Sequence, residues 1–396
     1  MRRLRLGVAG LGRAFMLMLP ALAHHRRVEL VAAFDPRREA RDRFVQDFGG
    51  TAHEGFEALC ADPAVEAIYL ATPHQFHAGQ AVAAARHGRH VLCEKPMAVT
   101  LEEANAMVAA ARAAGTRLLV GHSHGQDGPI LHARRLIASG RYGAVRMVTA
   151  LNATDFLYRP RRREELVTAE GGGVVFSQGA HQLDIIRLLG GGMLRSLRAQ
   201  ALAWDPARPT EGAYAAFLQF ESGAAATATY SGHGRFDSDE FLGWVGELGA
   251  RKDPGAYGTA RAALSGAATP EEEEALKRGR AYGAPGSAPG LPPAAPPAFH
   301  NQFGFVLASC EGADLRPTAE GVVIHADDRR WLEPTPLPPL PRAEVLDEFC
   351  AAVLDGAAPT HDGAWGLATL EACLALLRSS REGREVMLHH QVATRD

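Results

Sequence analysis

Cysteine is scarce in this 396-residue chain: five thiols, Cys60, Cys93, Cys310, Cys350 and Cys373, stand far apart and never as CxxC. An odd, scattered set argues against both a disulfide framework and a thiolate zinc site, so they read as core thiols of a cytoplasmic protein. A charge excess is missing too. With 42 basic against 45 acidic residues the net charge is -3, and neither end carries a run of one sign, which argues against nucleic acid as a partner. Nor is there an apolar run near the roughly twenty residues that span a bilayer, which argues against a membrane partner. The start "MRRLRLGVAGLG" is broken by glycines where a signal peptide would stay apolar. What remains is a small-molecule protein, long enough for two domains at roughly 100 to 200 residues each.

The first third is organised as strand, glycine turn, helix, strand, acid. "LRLGVA" leads into "GLGRAF", a segment of helical length follows, and "VELVAAFD" ends in Asp35. Gly10 permits the tight turn, and Gly12 lets the backbone approach a pyrophosphate. The helix start behind Leu11, Arg13 and Ala14 offers N–H groups and positive dipole to the phosphates. Asp35 is placed to accept from an adenosine ribose, which favours NAD, while Arg37 and Arg38 are placed to accommodate the 2′-phosphate of NADP instead. Phe15 stands where the fingerprint has Gly or Ala, so the helix is expected to sit off the usual close approach.

Alternation continues through "VEAIYLAT", "HAGQAVAAARHG", "HVLCEKP", "LEEANAMVAAARAAG" and "RLLVGHSHG". Strands separated by helices predict a doubly wound parallel sheet, whose ligands lie at the carboxyl ends of the strands. Residues past those ends are therefore the candidate contacts: Thr72, Pro73, His74 and His77; Glu94 and Lys95; Gly121, His122 and His124. Lys95 follows a strand and precedes Pro96, so its side chain is aimed into the crevice. Beside an oxidised nicotinamide its pKa is pushed down, which suits a general base.

"GVAGLG", "ATPHQFHAGQAVAAARHGRHVLCEKPMA" and "GGGVVFSQGAHQLDIIRLLGG" together resemble the Gfo/Idh/MocA family of NAD(P)-dependent oxidoreductases. The resemblance covers residues 1 to 232 and about 300 to 396. It implies a Rossmann domain over 1–125 and an α+β domain over 126–342 on an open, mainly antiparallel sheet. It also implies C-terminal helices over 343–396 that pack back on the first domain. The lysine of the EKP motif carries over to Lys95 as the catalytic residue, and the motif histidine to His181. His74 replaces an asparagine of the family pattern. Ser177 stands where sugar and inositol dehydrogenases of the family carry an aspartate, four residues before the histidine and expected on its helix face. A sugar or cyclitol substrate is thereby disfavoured but stays an alternative, as does a cofactor-binding regulator without turnover.

Alternating stretches beyond residue 125 read as strands of a sheet open on one face, which predicts a homodimer or homotetramer. At one strand end "DFLYRPRRREEL" clusters Tyr158, Arg159, Arg161, Arg162 and Arg163. It reads either as an anion clamp for a carboxylated substrate, with Arg159 foremost, or as a basic loop neutralised by its glutamates. "NATDFLYRPRR", "FDSDEFLGWVGELG" and "SCEGADLRP" resemble, more narrowly, the phthalate 4,5-cis-dihydrodiol dehydrogenase branch. That resemblance implies oxidation of a ring dihydrodiol to a catechol, with Lys95 taking the proton and His181 relaying it. Tyr158, Arg159, Ser177, His181 and His124 face the substrate in this reading. An insertion over about 233–300 ends in a Pro-rich linker. Its carboxylates Asp237, Asp239 and Glu240 lack neighbouring His or Cys at ligand spacing, so no metal site is expected.

Overall fold

The computed structural model describes residues 2–256, 258–267, 269–285 and 290–395. The chain forms two units. The first comprises residues 1–121, 274–296 and 339–367, the second 122–273, 297–338 and 368–396.

In the first unit, β1 (Leu4–Ala9), β2 (Val28–Phe34), β3 (Thr51–His53), β4 (Ala67–Leu70), β5 (His90–Cys93) and β6 (Leu118–Val120) pair in the order β3-β2-β1-β4-β5-β6. The ladders are all parallel. Crossover helices α1 (Arg13–His24), α2 (Arg38–Phe48), α3 (Phe56–Ala61), α4 (His77–Arg86) and α5 (Leu101–Ala114) connect them. Helices on both faces explain why β1 and β4 are nearly continuous apolar runs. Strand order reverses beside β1, and the glycine turn follows β1 at this switch point, where doubly wound sheets bind ligands. The core gathers Leu4, Leu6, Val8 and Phe15 with Leu346 and Phe349 from the helix Ala343–Leu354.

The second unit is built on β7 (Val145–Ala153), β8 (Leu194–Leu202), β9 (Ala213–Phe220), β10 (Ala225–Ser231), β11 (Phe305–Cys310), β12 (Asp314–Thr318), β13 (Gly321–His325), β14 (Arg330–Pro334) and β15 (Val386–Met387). They pair in the order β14-β13-β12-β11-β7-β10-β9-β8-β15. The β7–β10 ladder is parallel and the others are antiparallel. The mainly antiparallel sheet expected from alternation is therefore present. Strands β3, β8, β14 and β15 were not among those read from sequence; β3 is three residues long, neither β8 nor β14 is a clean run of alternating apolar residues, and the two residues of β15 end a segment whose period reads as helical. Helices α6 (Gly128–Ala138) and α7 (Ala180–Gly190) lie on the sheet. Along β9, Tyr214, Ala216, Leu218 and Phe220 are buried while Ala215 and Phe217 are exposed, so one face stays open.

Candidate active site

Gly10 follows β1 at φ +93°, and a Cβ there would lie 2.7 Å from the carbonyl carbon and oxygen of Ala71. The turn thus needs glycine both for its backbone angle and for its approach to β4. At Gly12 a Cβ would meet nothing within 4 Å, so the turn opens onto free space. Helix α1 starts there with no capping side chain and no acid in its first turn, leaving its N–H groups to a phosphate. Leu11 is buried, Arg13 exposed and Ala14 half-buried. These residues fit a dinucleotide pyrophosphate.

Asp35 departs from its expected role as a ready ribose acceptor. Its Oδ2 accepts from Leu11 N–H at 2.7 Å and from Arg37 Nη2 at 3.2 Å. Its Oδ1 accepts from Arg37 N–H at 2.9 Å and Arg37 Nε at 3.0 Å. Arg37 is folded onto this acid instead of standing ready for a 2′-phosphate. Phe15 is fully buried and meets the Tyr282 ring edge-on, centroids 5.1 Å apart. The large residue at the third fingerprint position is matched by an aromatic from the insertion.

Past β4 and β5 the strand ends interlock. His77 is buried, its Nδ1 3.0 Å from the Pro96 carbonyl and its Nε2 2.9 Å from the Thr72 carbonyl. Sequence placed His77 among the cofactor contacts; it is instead a brace between the two loops. Thr72 Oγ1 donates to Gln80 Oε1 at 2.6 Å, and Glu94 Oε1 accepts from Tyr69 Oη at 2.5 Å. Lys95 is half-buried beside a cis peptide to Pro96, and Pro73 and His74 are half-buried at the β4 end.

In the second unit His124 is fully buried, with Nδ1 2.8 Å from Asp127 Oδ2 and Nε2 3.5 Å from Glu247 Oε1. His181, at the start of α7, meets the His124 ring edge-on at 4.7 Å, and Phe303 lies against both rings. Arg159 Nη1 donates to Glu247 Oε2 at 3.3 Å, and its Nε is 3.6 Å from Asp155. A line of alternating charge therefore runs Asp127, His124, Glu247, Arg159, Asp155.

The other members of the basic cluster turn elsewhere. Arg161 donates to the Phe156 carbonyl at 2.7 Å and stacks on its ring at 3.6 Å. Arg162 pairs with Glu164 at 2.9 Å, as the neutralised-loop reading anticipates. Tyr158 donates to Asp205 at 2.7 Å under Arg261. The approach to His181 is shaped by Gly173 at φ +84°, where a Cβ would collide with the Glu211 carboxylate. The next turn, Val175–Gly179, is a π-helix that runs directly into α7. The Ser177 hydroxyl donates back to the Gly173 carbonyl.

Two residues escaped sequence reasoning. Asp127 follows His124 by three, a spacing open to that reading, whereas Glu247 lies 123 residues further on in the insertion and only the fold brings it to Nε2. Asp237 and Asp239 hold Lys252, and among the described residues no group of three or more His, Cys, Asp or Glu side chains is placed to hold a metal.

The two histidines titrate oppositely. Burial pushes His77 down to about 4, against its two carbonyl neighbours. Burial also lowers His124, but Asp127 and Glu247 outweigh it and the ring is raised above its usual value. His77 therefore contributes stability that is present above about pH 6.5 and is lost as pH falls toward its folded value. His124 contributes stability that is present below about pH 6.5 and is lost as pH rises through its folded value. Side-chain NMR should show His77 titrating near 4 and His124 above the usual histidine range; a His124 titrating below that range would remove its carboxylate pairing.

The model of the oxidoreductase family with the NAD-binding Rossmann fold, Gfo/Idh/MocA, matches residues 4–122, and that of the Gfo/Idh/MocA C-terminal domain matches residues 130–250. The chain belongs to the Gfo/Idh/MocA oxidoreductase family. This Gfo/Idh/MocA member is an oxidoreductase, and its cofactor is NAD. It is 48% identical over 379 residues to the 1-carboxy-3-chloro-3,4-dihydroxycyclohexa-1,5-diene dehydrogenase of Comamonas testosteroni, covering 96% of this chain and 95% of that one. A crystal structure from Bordetella bronchiseptica RB50, provisionally described as a dehydrogenase, superposes at TM-score 0.90 with 37% identity, covering 97% and 100% of the two chains. The WlbA dehydrogenase of Bordetella pertussis, crystallised with NADH and UDP-GlcNAcA, shares the fold at TM-score 0.66 and 22% identity, covering 98% and 99%. Among the described residues no helix is long and apolar enough to cross a membrane.

Proposed function

We propose that this oxidoreductase oxidises a cis-dihydrodiol on a carboxylated cyclohexadiene ring, of the 4,5-dihydro-4,5-dihydroxyphthalate type, to the catechol. The observation that carries the reading is the 48% identity, over nearly the whole of both chains, to a dehydrogenase named for a carboxylated dihydroxycyclohexadiene. Oxidation removes a hydride from the carbinol carbon and a proton from its hydroxyl, and the ketone left behind enolises to the aromatic catechol. Bound NAD supplies the hydride acceptor. Lys95 takes the hydroxyl proton, directly or through water, and His181 polarises the hydroxyl or relays the proton.

Arg159 supports the carboxylate half of the reading. Of the cluster's arginines it alone, among the described residues, joins the His124 line, so a ring carboxylate would take the place of Glu247 on its guanidinium. The site then offers a fork for one carboxylate, and a second carboxylate on the ring is not required. In steady-state NADH formation, Arg159→Ala should raise KM for carboxylated dihydrodiols about ten- to a hundredfold. It should do little to a carboxylate-free dihydrodiol; equal effects on both would sink the clamp. Faster turnover of inositol or a simple sugar than of any dihydrodiol would sink the substrate class. The same reading covers the open sheet face, where Met147 and Phe217 are exposed, with a second copy of this chain, a pairing that sedimentation reports.

A further inference from the structure

The insertion contributes residues 274–296 to the first unit, and of these Tyr282 lies against the cofactor turn. Tyr282 N–H donates to the Leu11 carbonyl at 3.2 Å, and the Tyr282 carbonyl accepts from Arg37 Nη1 at 3.1 Å. Its ring is buried between Phe15 and the Arg43 guanidinium, and its hydroxyl donates to Asp47 at 2.6 Å. Pro292, further along, accepts through its carbonyl from His24 at 2.7 Å. Arg37 sits at the centre of this clasp, with its Nη2 also donating to the Leu11 carbonyl at 2.9 Å.

A carboxylate has about four acceptor positions. At Asp35 four donors already hold them, two from the Arg37 guanidinium and two from backbone N–H groups. The backbone donors belong to the fold. The guanidinium is the part that a ribose diol must replace, since a diol reaches a carboxylate through the same pair of outward positions. Once Arg37 leaves Asp35, its bond to the Tyr282 carbonyl goes with it, because one planar fork makes both.

We propose that Arg37 is an internal competitor of the adenosine ribose: it occupies Asp35 in the cofactor-free chain, NAD displaces it, and its displacement unlatches the Tyr282 clasp. The inference needs the NAD-binding fold and is independent of the substrate reading. A latch that must open before binding lowers the apparent affinity by the fraction of open chain. Nicotinamide cofactor exchange is then slowed by a segment outside the Rossmann sheet, and Tyr282 acts as a positioning residue through Arg37.

Equilibrium titration with NAD, without substrate, tests the competitor. Arg37→Ala should bind NAD about tenfold more tightly than the natural chain, as removal of a latch closed about nine times in ten requires. NADP should gain nothing, because its 2′-phosphate meets the uncovered Asp35 carboxylate. Either unchanged or weaker NAD binding by Arg37→Ala would overturn the proposal, and weaker binding would make Arg37 an ordinary cofactor ligand. Trypsin reads the clasp separately, since Arg278 and Arg280 are exposed just before Tyr282. NAD should speed cleavage there in the natural chain, and Tyr282→Ala should be cut quickly with or without NAD. Protection of these sites by NAD would show a clasp that closes on the cofactor, the reverse of the proposal.

Discussion

Lys95→Ala should lower kcat by about two to four orders of magnitude, the range that a positioned general base contributes, while NAD still binds. Lys95 follows the end of β5 two residues past Cys93, on a backbone held from two sides. The Glu94 N–H donates to the Leu70 carbonyl at 2.9 Å, and the Pro96 carbonyl meets His77 at 3.0 Å. Removing the amine therefore takes away the proton acceptor and leaves the loop that carries it. NADH formation with a cis-dihydrodiol, together with NAD titration, separates the two effects. Turnover that survives in Lys95→Ala would remove Lys95 from the chemistry, and a joint loss of turnover and NAD binding would make it a cofactor ligand.

Gly10→Ala should be nearly as damaging, by another route. The backbone at φ +93° disfavours any side chain, and the added Cβ would lie 2.7 Å from the Ala71 carbonyl and 2.8 Å from the Thr72 nitrogen. Both obstacles are main chain, so neither can swing aside as a side chain would. The strain is of order 1–3 kcal/mol, and relief requires β1 and β4 to part at the pyrophosphate turn. Thermal unfolding should shift downward and NAD affinity should fall by more than about tenfold, the equivalent of about 1.4 kcal/mol. Gly12→Ala is the informative neighbour, because its Cβ enters open space and it should fold normally while binding NAD less well. Equal stability losses at both positions would contradict this account.

The parallel sheet was legible because its signal is local: β1, β2, β4 and β5 are apolar runs bounded by glycine, proline or charge, and each stands beside a helix of ordinary length. The strand-end residues were legible by the same token, since a doubly wound topology fixes where they emerge. What each does there was less so. Asp35 and His77 were placed correctly in the chain, but their partners, the Arg37 side chain and the Pro96 and Thr72 carbonyls, are decided by rotamer and loop geometry. The arginine cluster shows the same limit. Three of its arginines, Arg159, Arg161 and Arg162, divide among carboxylates, an aromatic ring and a backbone carbonyl, and only the packed loop sorts them. The π-turn over Val175–Gly179, in which Ser177 lies, was not legible either, because no local repeat announces it. Glu247 and Tyr282 were beyond reach for a simpler reason: Glu247 meets His124, and Tyr282 meets Leu11, across more than a hundred residues of chain.

The discontinuity of both units has a consequence for how the protein is made. A ribosome delivers the glycine turn and the parallel sheet first, yet the core beneath them lacks Leu346 and Phe349 until the helix Ala343–Leu354 has emerged. Strand β7 waits similarly, since its two neighbours, β10 and β11, are synthesised some 70 and 150 residues after it. Contacts of such sequence separation form late and slowly. The nascent chain therefore carries an unfinished NAD-binding sheet through most of its synthesis, with apolar surface that closes only when residues 343–354 arrive.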